Sequence, residues 1–173
     1  MKLLGLAGWS GSGKTTLVRA LLPELGRRGL TVSTIKHAHH SFDVDQPGKD
    51  SYEHRRAGAR EVLVSSAKRW ALMHEHGAGE PEPTLEELIP HLGPVDLLLV
   101  EGFKAHRHDK LEVYRASLGK PLLCREDAAV VAVVSDGPIA GLAIPRLDIN
   151  DITAIADFIV AHCGLGELAR GVA

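Results

Sequence analysis

Cysteine is nearly absent from this chain: Cys124 and Cys163 are the two in 173 residues. They form neither a disulfide framework nor a CxxC pair, so both read as reduced packing residues of a cytoplasmic protein. Excess charge is missing too. The formal net charge is −2, which argues against general nucleic-acid affinity, since that needs a strongly basic face. No apolar run is long enough to span a bilayer, and the opening MKLLGLA reads as a buried strand rather than a signal peptide. No internal repeat and no second domain are visible. What is present is apolar residue, 45% of the chain. That excludes disorder throughout and fills the core of one domain over residues 1–173, with a frayed tail expected from about Gly164.

One stretch organises the rest. GWSGSGKTT, Gly8 to Thr16, lies between the first strand and a helical pattern from Lys14 to Arg28. It fits the phosphate-binding pattern G-x-x-x-x-G-K-[ST] at Gly8, Gly13, Lys14 and Thr15. Glycines let the backbone curl around an anion, because a Cβ would block positive φ angles and close approach. Loop amides and the helix N-terminus then point at a β-phosphate, with Lys14 bridging the β- and γ-phosphates and the Thr15 hydroxyl holding Mg²⁺. The expectation is nucleoside triphosphate binding.

Further along, strands are expected at Leu30–Lys36, Val95–Val100, Leu111–Arg115 and Ala128–Val134, with a short one at Ala143–Leu147 broken at Pro145. Glu61–Ser66 and Lys68–His74 suggest a hairpin. Gly29 reads as a C-cap, and Asp50 or Ser51 as the cap of a short helix stopped by Gly58. Thr84 with Glu87 reads as a capping box opening a helix from Leu85 to Leu92, and Ile152–Cys163 as a helix with one apolar face. Strands alternating with helices give an α/β fold: a mostly parallel central sheet flanked by helices, of the P-loop NTPase type.

Ligands of such sheets sit beyond the carboxyl ends of the strands. Four loops qualify: the P-loop, His37 to Lys49, Glu101 to Asp109, and Ser135 to Gly137. Glu101 ends an apolar strand where a Walker B carboxylate would reach the Mg²⁺ shell, although Asp is usual there, and Gly102 can offer its amide to the γ-phosphate. Asp96, at the other end of that strand, reads as structural. The loop HAHHSFDVDQPGK presents Lys36, His37, His39, His40, Asp43, Asp45 and Lys49 to an anionic substrate or partner, with Asp43 or Asp45 near Mg²⁺. The same loop is also readable as a transition-metal site or a solvated surface. Lys104, His106, Arg107 and His108 form a second cationic rim, to which His54, Arg55 and Arg56 could add. His74 and His76 fall at a strand end away from that mouth and receive no role, and residues 69–91 carry no recognisable motif. The guanine-reading motif [NT]KxD is missing. Asp136 stands where a carboxylate could read guanine, or where an ordinary turn residue would.

Together GWSGSGKTTL (Gly8–Leu17), KHAHHSFDVDQPGKDSYEHRRAGA (Lys36–Ala59), DLLLVEGFK (Asp96–Lys104), VVSD (Val133–Asp136) and LDINDI (Leu147–Ile152) resemble the molybdopterin-guanine dinucleotide biosynthesis protein B family. The resemblance implies a GTP-binding, weakly GTP-hydrolysing homodimer in the cytoplasm. Such a protein acts as an adapter for the nucleotidyltransferase that attaches GMP to molybdopterin, with the pterin a candidate ligand of its own. By position, Ser10, Gly11, Ser12, Gly13, Lys14, Thr15 and Thr16 would hold phosphates, with Lys14 and Glu101 serving hydrolysis and Thr15, Glu101 and Asp45 serving Mg²⁺. No water-orienting glutamine or arginine finger is evident, although Arg107 or Arg115 of a second subunit could complete the site. A small-molecule kinase, disfavoured by the lack of an arginine-rich lid, and a metal-delivery GTPase are the alternative readings.

Overall fold

A computed structural model describes residues 1–38, 42–103 and 106–168. In chain order the elements are β1 (Lys2–Ala7), α1 (Lys14–Arg27), β2 (Val32–Lys36), α2 (Asp50–Arg56), β3 (Glu61–Ser65), β4 (Trp70–His74), α3 (Leu85–Leu88), β5 (Leu97–Glu101), β6 (Lys110–Tyr114), β7 (Val130–Ser135), β8 (Arg146–Asp148) and α4 (Ile152–His162). They gather in two compact units. The first comprises Met1–His37 and Pro90 onward, the second Ala38–Ile89.

The first unit is the expected α/β fold. Its sheet runs β2-β5-β1-β6-β7-β8, every pairing parallel. Alternate residues of the central strands, among them Leu4, Leu6, Leu97, Leu99, Leu111, Val113, Ala132 and Val134, share one buried core with Leu17, Leu21 and Leu25 of α1 and Ile155 and Ile159 of α4. Strand order reverses at β1, which places the loop after β1 at the crevice such sheets use for ligands. At the far end of β5 the Asp96 carboxylate accepts from the Thr31 N–H at 2.8 Å and the Thr31 hydroxyl at 2.6 Å, the structural role expected of it.

Glycines end the helices as the sequence suggests. At α1, Leu30 N–H bonds the Leu25 carbonyl and Gly29 N–H the Gly26 carbonyl, with Gly29 at φ 80°. This is the paired closure of a left-handed C-terminal residue. The same closure follows α4, where Leu165 N–H reaches the Val160 carbonyl at 2.8 Å and the Leu165 side chain is buried. Fraying therefore does not begin at Gly164, because Leu165 is anchored in the core.

The crossover from β5 to β6 contains no helix among its described residues. Register explains how so short a link suffices. Gly5 of β1 lies opposite both Val100, next to last in β5, and Lys110, first in β6. The chain thus re-enters the sheet almost level with where it left, and no return along a full strand is needed.

In the second unit β3 and β4 pair antiparallel, from Glu61 opposite His74 to Ser65 opposite Trp70. The capping box forms: Thr84 Oγ1 accepts from Glu87 N–H, and the Glu87 carboxylate accepts from Thr84 N–H. Helix α3 is shorter than Leu85–Leu92 and tightens into a 3₁₀ turn at Ile89–His91, because Pro90 has no N–H for an i→i−4 bond. The cap of α2 is also corrected. Lys49 occupies that position with no side-chain bond, and the Ser51 hydroxyl donates instead to Asp45 at 2.9 Å.

Candidate functional site

The loop leaving β1 turns on glycine. Gly8, Gly11 and Gly13 have φ of 141°, 80° and 102°. A Cβ at Gly8 would lie 2.5 Å from the Val113 carbonyl oxygen and 2.8 Å from Ser12 Oγ, so only glycine lets the loop fold this tightly. Gly13 is the N-cap of α1 and has no side chain to take the amides of the first turn. Those N–H groups, with the positive end of the helix, make a seat for an anion. The Lys14 ammonium arches over the loop and donates to the carbonyls of Gly8 at 2.9 Å and Trp9 at 3.1 Å. Ser10, Gly11, Thr15 and Thr16 are exposed at this mouth, while Ser12 is buried beneath it.

On the β5 side the Thr15 hydroxyl donates to the Glu101 carboxylate at 3.3–3.4 Å. A hydroxyl and a carboxylate brought together are the oxygen donors that suit a hard cation such as Mg²⁺. Lys36 Nζ lies 3.7 Å from the same carboxylate. A groove of about 160 Å³ opens here, lined by Thr15, Arg19, Thr34, Lys36 and Glu101 among others. His37 extends β2 by donating its N–H to the Glu101 carbonyl at 2.8 Å. Gly102, at φ 99°, passes so close that a Cβ would come within 2.6 Å of His37 Cβ. The rings of His37, Phe103 and His106 follow one another at 5.1 and 5.2 Å.

On the β7 side Arg115 joins two parts of the mouth. Its Nε donates to the Ser12 carbonyl at 3.2 Å and its Nη1 to Asp136 Oδ2 at 2.9 Å. Asp136 thus faces the loop with one carboxylate oxygen already engaged. Arg107 is exposed. Lys104, His39 and His40 lie outside the described residues.

Asp43, Asp45 and Lys49 belong to the second unit. Arg55 gathers its acids: Nη2 meets Asp43 at 2.8 Å, Nη1 meets Glu75 at 2.7 Å, and Nε meets Asp45 at 3.4 Å. The Asp45 N–H and the Arg55 guanidinium hold the Asp43 carboxyl below its usual range. Within this unit Asp45 is a loop-ordering acceptor for Ser51, Gln46 N–H and Arg55.

A family model for molybdopterin guanine dinucleotide synthesis protein B matches residues 3–136. A molybdopterin-guanine dinucleotide biosynthesis adapter protein of Escherichia coli is 47% identical over 161 residues, covering 91% of each chain. Its counterpart in Haemophilus influenzae is 45% identical, covering 91% of this chain and 86% of the relative. A crystal structure described as molybdopterin-guanine biosynthesis protein B superposes with a TM-score of 0.73 at 27% identity, covering 94% of this chain and 99% of that one. The chain belongs to the molybdopterin-guanine dinucleotide synthesis protein B family.

In this family member Thr15 of the loop, Glu101 and Lys36 lie together, whereas the sequence pattern offered Arg115 a place only in a neighbouring subunit. In the fold Arg115 serves its own P-loop, because it follows directly on β6, beside β1. The sequence pattern also missed the pairing of Trp9 with the stretch after β6: the indole donates to the Pro121 carbonyl at 2.9 Å, and Lys120 Nζ sits 5.6 Å from the ring centroid. Glu112, fully buried, accepts from Leu123 and Cys124 N–H at 2.8 and 2.9 Å and so anchors that stretch. Burial pushes the Cys163 and Cys124 thiols up, as suits packing residues.

Proposed function

We propose that this chain is a GTP-binding adapter in the assembly of the guanine dinucleotide form of the molybdenum cofactor, working with the nucleotidyltransferase that joins GMP to molybdopterin. The observation that carries the reading is the meeting of Lys14, the uncapped first turn of α1 and the Thr15–Glu101 pair at the switch point of the sheet, in a chain related to proteins named as such adapters. The loop amides from Ser10 to Thr16 take the phosphates, and Lys14 exchanges its carbonyl partners for phosphate oxygens. Thr15 and Glu101 supply oxygen ligands for Mg²⁺, which when bound neutralises phosphate charge. Asp45, committed to Ser51 and Arg55, is better assigned to ordering its own loop. Gly102 N–H faces the γ-phosphate, and Asp136, oriented by Arg115, reads the guanine edge.

GTP hydrolysis at such a site rests on charge stabilisation by Lys14 and the amides, and is slow because the sequence motifs supply no water-orienting glutamine. The loops bearing His37, His39, His40, Asp43 and Lys49, and Lys104 and Arg107, meet the pterin or the partner enzyme. A second copy pairs through the β3–β4 ribbon. Two strands alone are marginal in water, and Leu63 and Trp70 here are 60% and 62% exposed. No described helix is long and apolar enough to cross a membrane, and we place the protein in the cytoplasm, where unpaired thiols stay reduced.

The test is dinucleotide formation by the nucleotidyltransferase with GTP and molybdopterin, with and without this chain. Marked stimulation is expected. No stimulation, or transfer of the γ-phosphate to a pterin or nucleoside acceptor, would replace the adapter with a kinase.

A further inference from the structure

The end of β4, in the second unit, holds a constellation that the phosphate-binding residues do not account for. His74 is the last residue of the strand and His76 follows at a spacing of two, which returns a side chain to the same face of extended backbone. The turn that begins at Gly77 closes with Glu80 N–H on the Gly77 carbonyl at 3.0 Å and Gly79 at φ 80°. It folds Glu80 back toward the two imidazoles. One ligand atom from each of His74, His76 and Glu80 lies within 4.8 Å of the others, and all three residues are exposed. The two rings meet edge-on, centroids 5.4 Å apart.

Glu61 makes this more than a chance grouping. It stands directly opposite His74 in the hairpin register, and its Oε1 is 2.8 Å from His74 Nδ1. A carboxylate on one ring nitrogen fixes the proton there and leaves Nε2 with its lone pair. Metal-binding histidines are oriented in this way, and the arrangement makes the ring a better ligand. Glu80 is similarly positioned. Gly77 N–H and Arg60 Nη2 hold its oxygens at 2.8 to 2.9 Å, and each carboxylate oxygen has a second lone pair to offer. The alternative is a pair of edge-on imidazoles at a solvated strand end. It explains the ring contact but leaves unexplained why carboxylates flank the pair from both the neighbouring strand and the following turn.

We propose that His74, His76 and Glu80 bind one divalent transition-metal ion, zinc foremost, with Glu61 as the residue that orients His74. Two imidazoles and one carboxylate favour zinc, cobalt or nickel over magnesium or calcium. Three protein ligands leave a position for water or for a donor from elsewhere. The ion clips the turn at Gly77–Glu80 to the end of the hairpin.

The experiment titrates the metal-stripped, nucleotide-free full chain with Zn²⁺ in excess Mg²⁺ by calorimetry, and with Co²⁺ by its visible absorption. One equivalent should bind. H74N/H76N and E80Q should abolish that equivalent, and E61Q should weaken it by about 10–100-fold, the usual effect of removing a ligand-orienting partner. A variant of the other histidine-rich stretch, H37N/H39N/H40N, should retain it. Since the three ligands are exposed, the variants keep the fold, which circular dichroism verifies. Absence of Zn²⁺ binding by the native chain, an unchanged equivalent in H74N/H76N, or its loss in H37N/H39N/H40N instead would each overturn the proposal. None of these outcomes depends on the GTP site, so failure here leaves the adapter reading standing.

Discussion

Single residues carry the chemistry at this mouth through what they lack as much as through what they offer. Gly8 has no Cβ to strike the Val113 carbonyl, and Gly13, the N-cap of α1 at φ 102°, has no side chain to compete for the amides of the first turn. This part was legible in the order of letters, because phosphate binding by backbone needs glycine at fixed spacing. Arg115 was not legible. Its partners, Ser12 and Asp136, lie elsewhere in sequence, and the placement of β6 between β1 and β7 brings them together. Asp136 with Arg115 is the proposed reader of the base, and a carboxylate hydrogen bond to guanine is charge-assisted. Asp136→Asn should therefore reduce the preference for GTP over ATP by about tenfold or more, as loss of one such bond implies. Competition against labelled GTP measures this, and an unchanged ratio would remove Asp136 from base reading.

At the level of elements, the apolar strands β1, β5 and β7 and the glycine stops of α1 and α2 could be read directly, since burial and left-handed closure each demand particular residue types. Register could not. Lys110 and Glu112 alternate with apolar residues in β6, yet both are buried, Lys110 3.1 Å from Asp127 and Glu112 on the amides of Leu123 and Cys124. The short crossover made by that register presses His108 against β1, where a Cβ on Gly5 would come within 2.4 Å of His108 Nε2. Neither ring nitrogen of His108 has a hydrogen-bond partner among the described residues. Burial, followed by the charges of Lys110 and His106, lowers its pKa from 6.5, with Asp127 and Asp109 opposing. The folded chain then binds fewer protons here than the unfolded one. This stabilisation is complete above about pH 6.5 and is lost as pH falls through the lowered folded value. Urea midpoints at pH 7.5 and 5.5 should fall less in His108→Asn than in the native chain. An equal fall in both would show that His108 does not contribute.

On the scale of the molecule, the class of fold followed from the alternation of strand and helix patterns. The gathering of contacts into two units did not, because the polar stretch after β2 and the ribbon β3–β4 have local patterns that any loop and hairpin share. Six parallel strands place every carboxyl-terminal loop of the first unit on one edge, and the reversal of order at β1 singles out the loop carrying Lys14. The proposed adapter role depends on that loop holding a nucleotide. The most direct measurement is calorimetric titration of GTP with Mg²⁺ into the native chain and into Lys14→Ala, with folding checked by thermal melting. One GTP per chain is expected for the native protein, with tight binding lost in the variant and the melting temperature essentially kept. Equal affinity in the two proteins would overturn the nucleotide site.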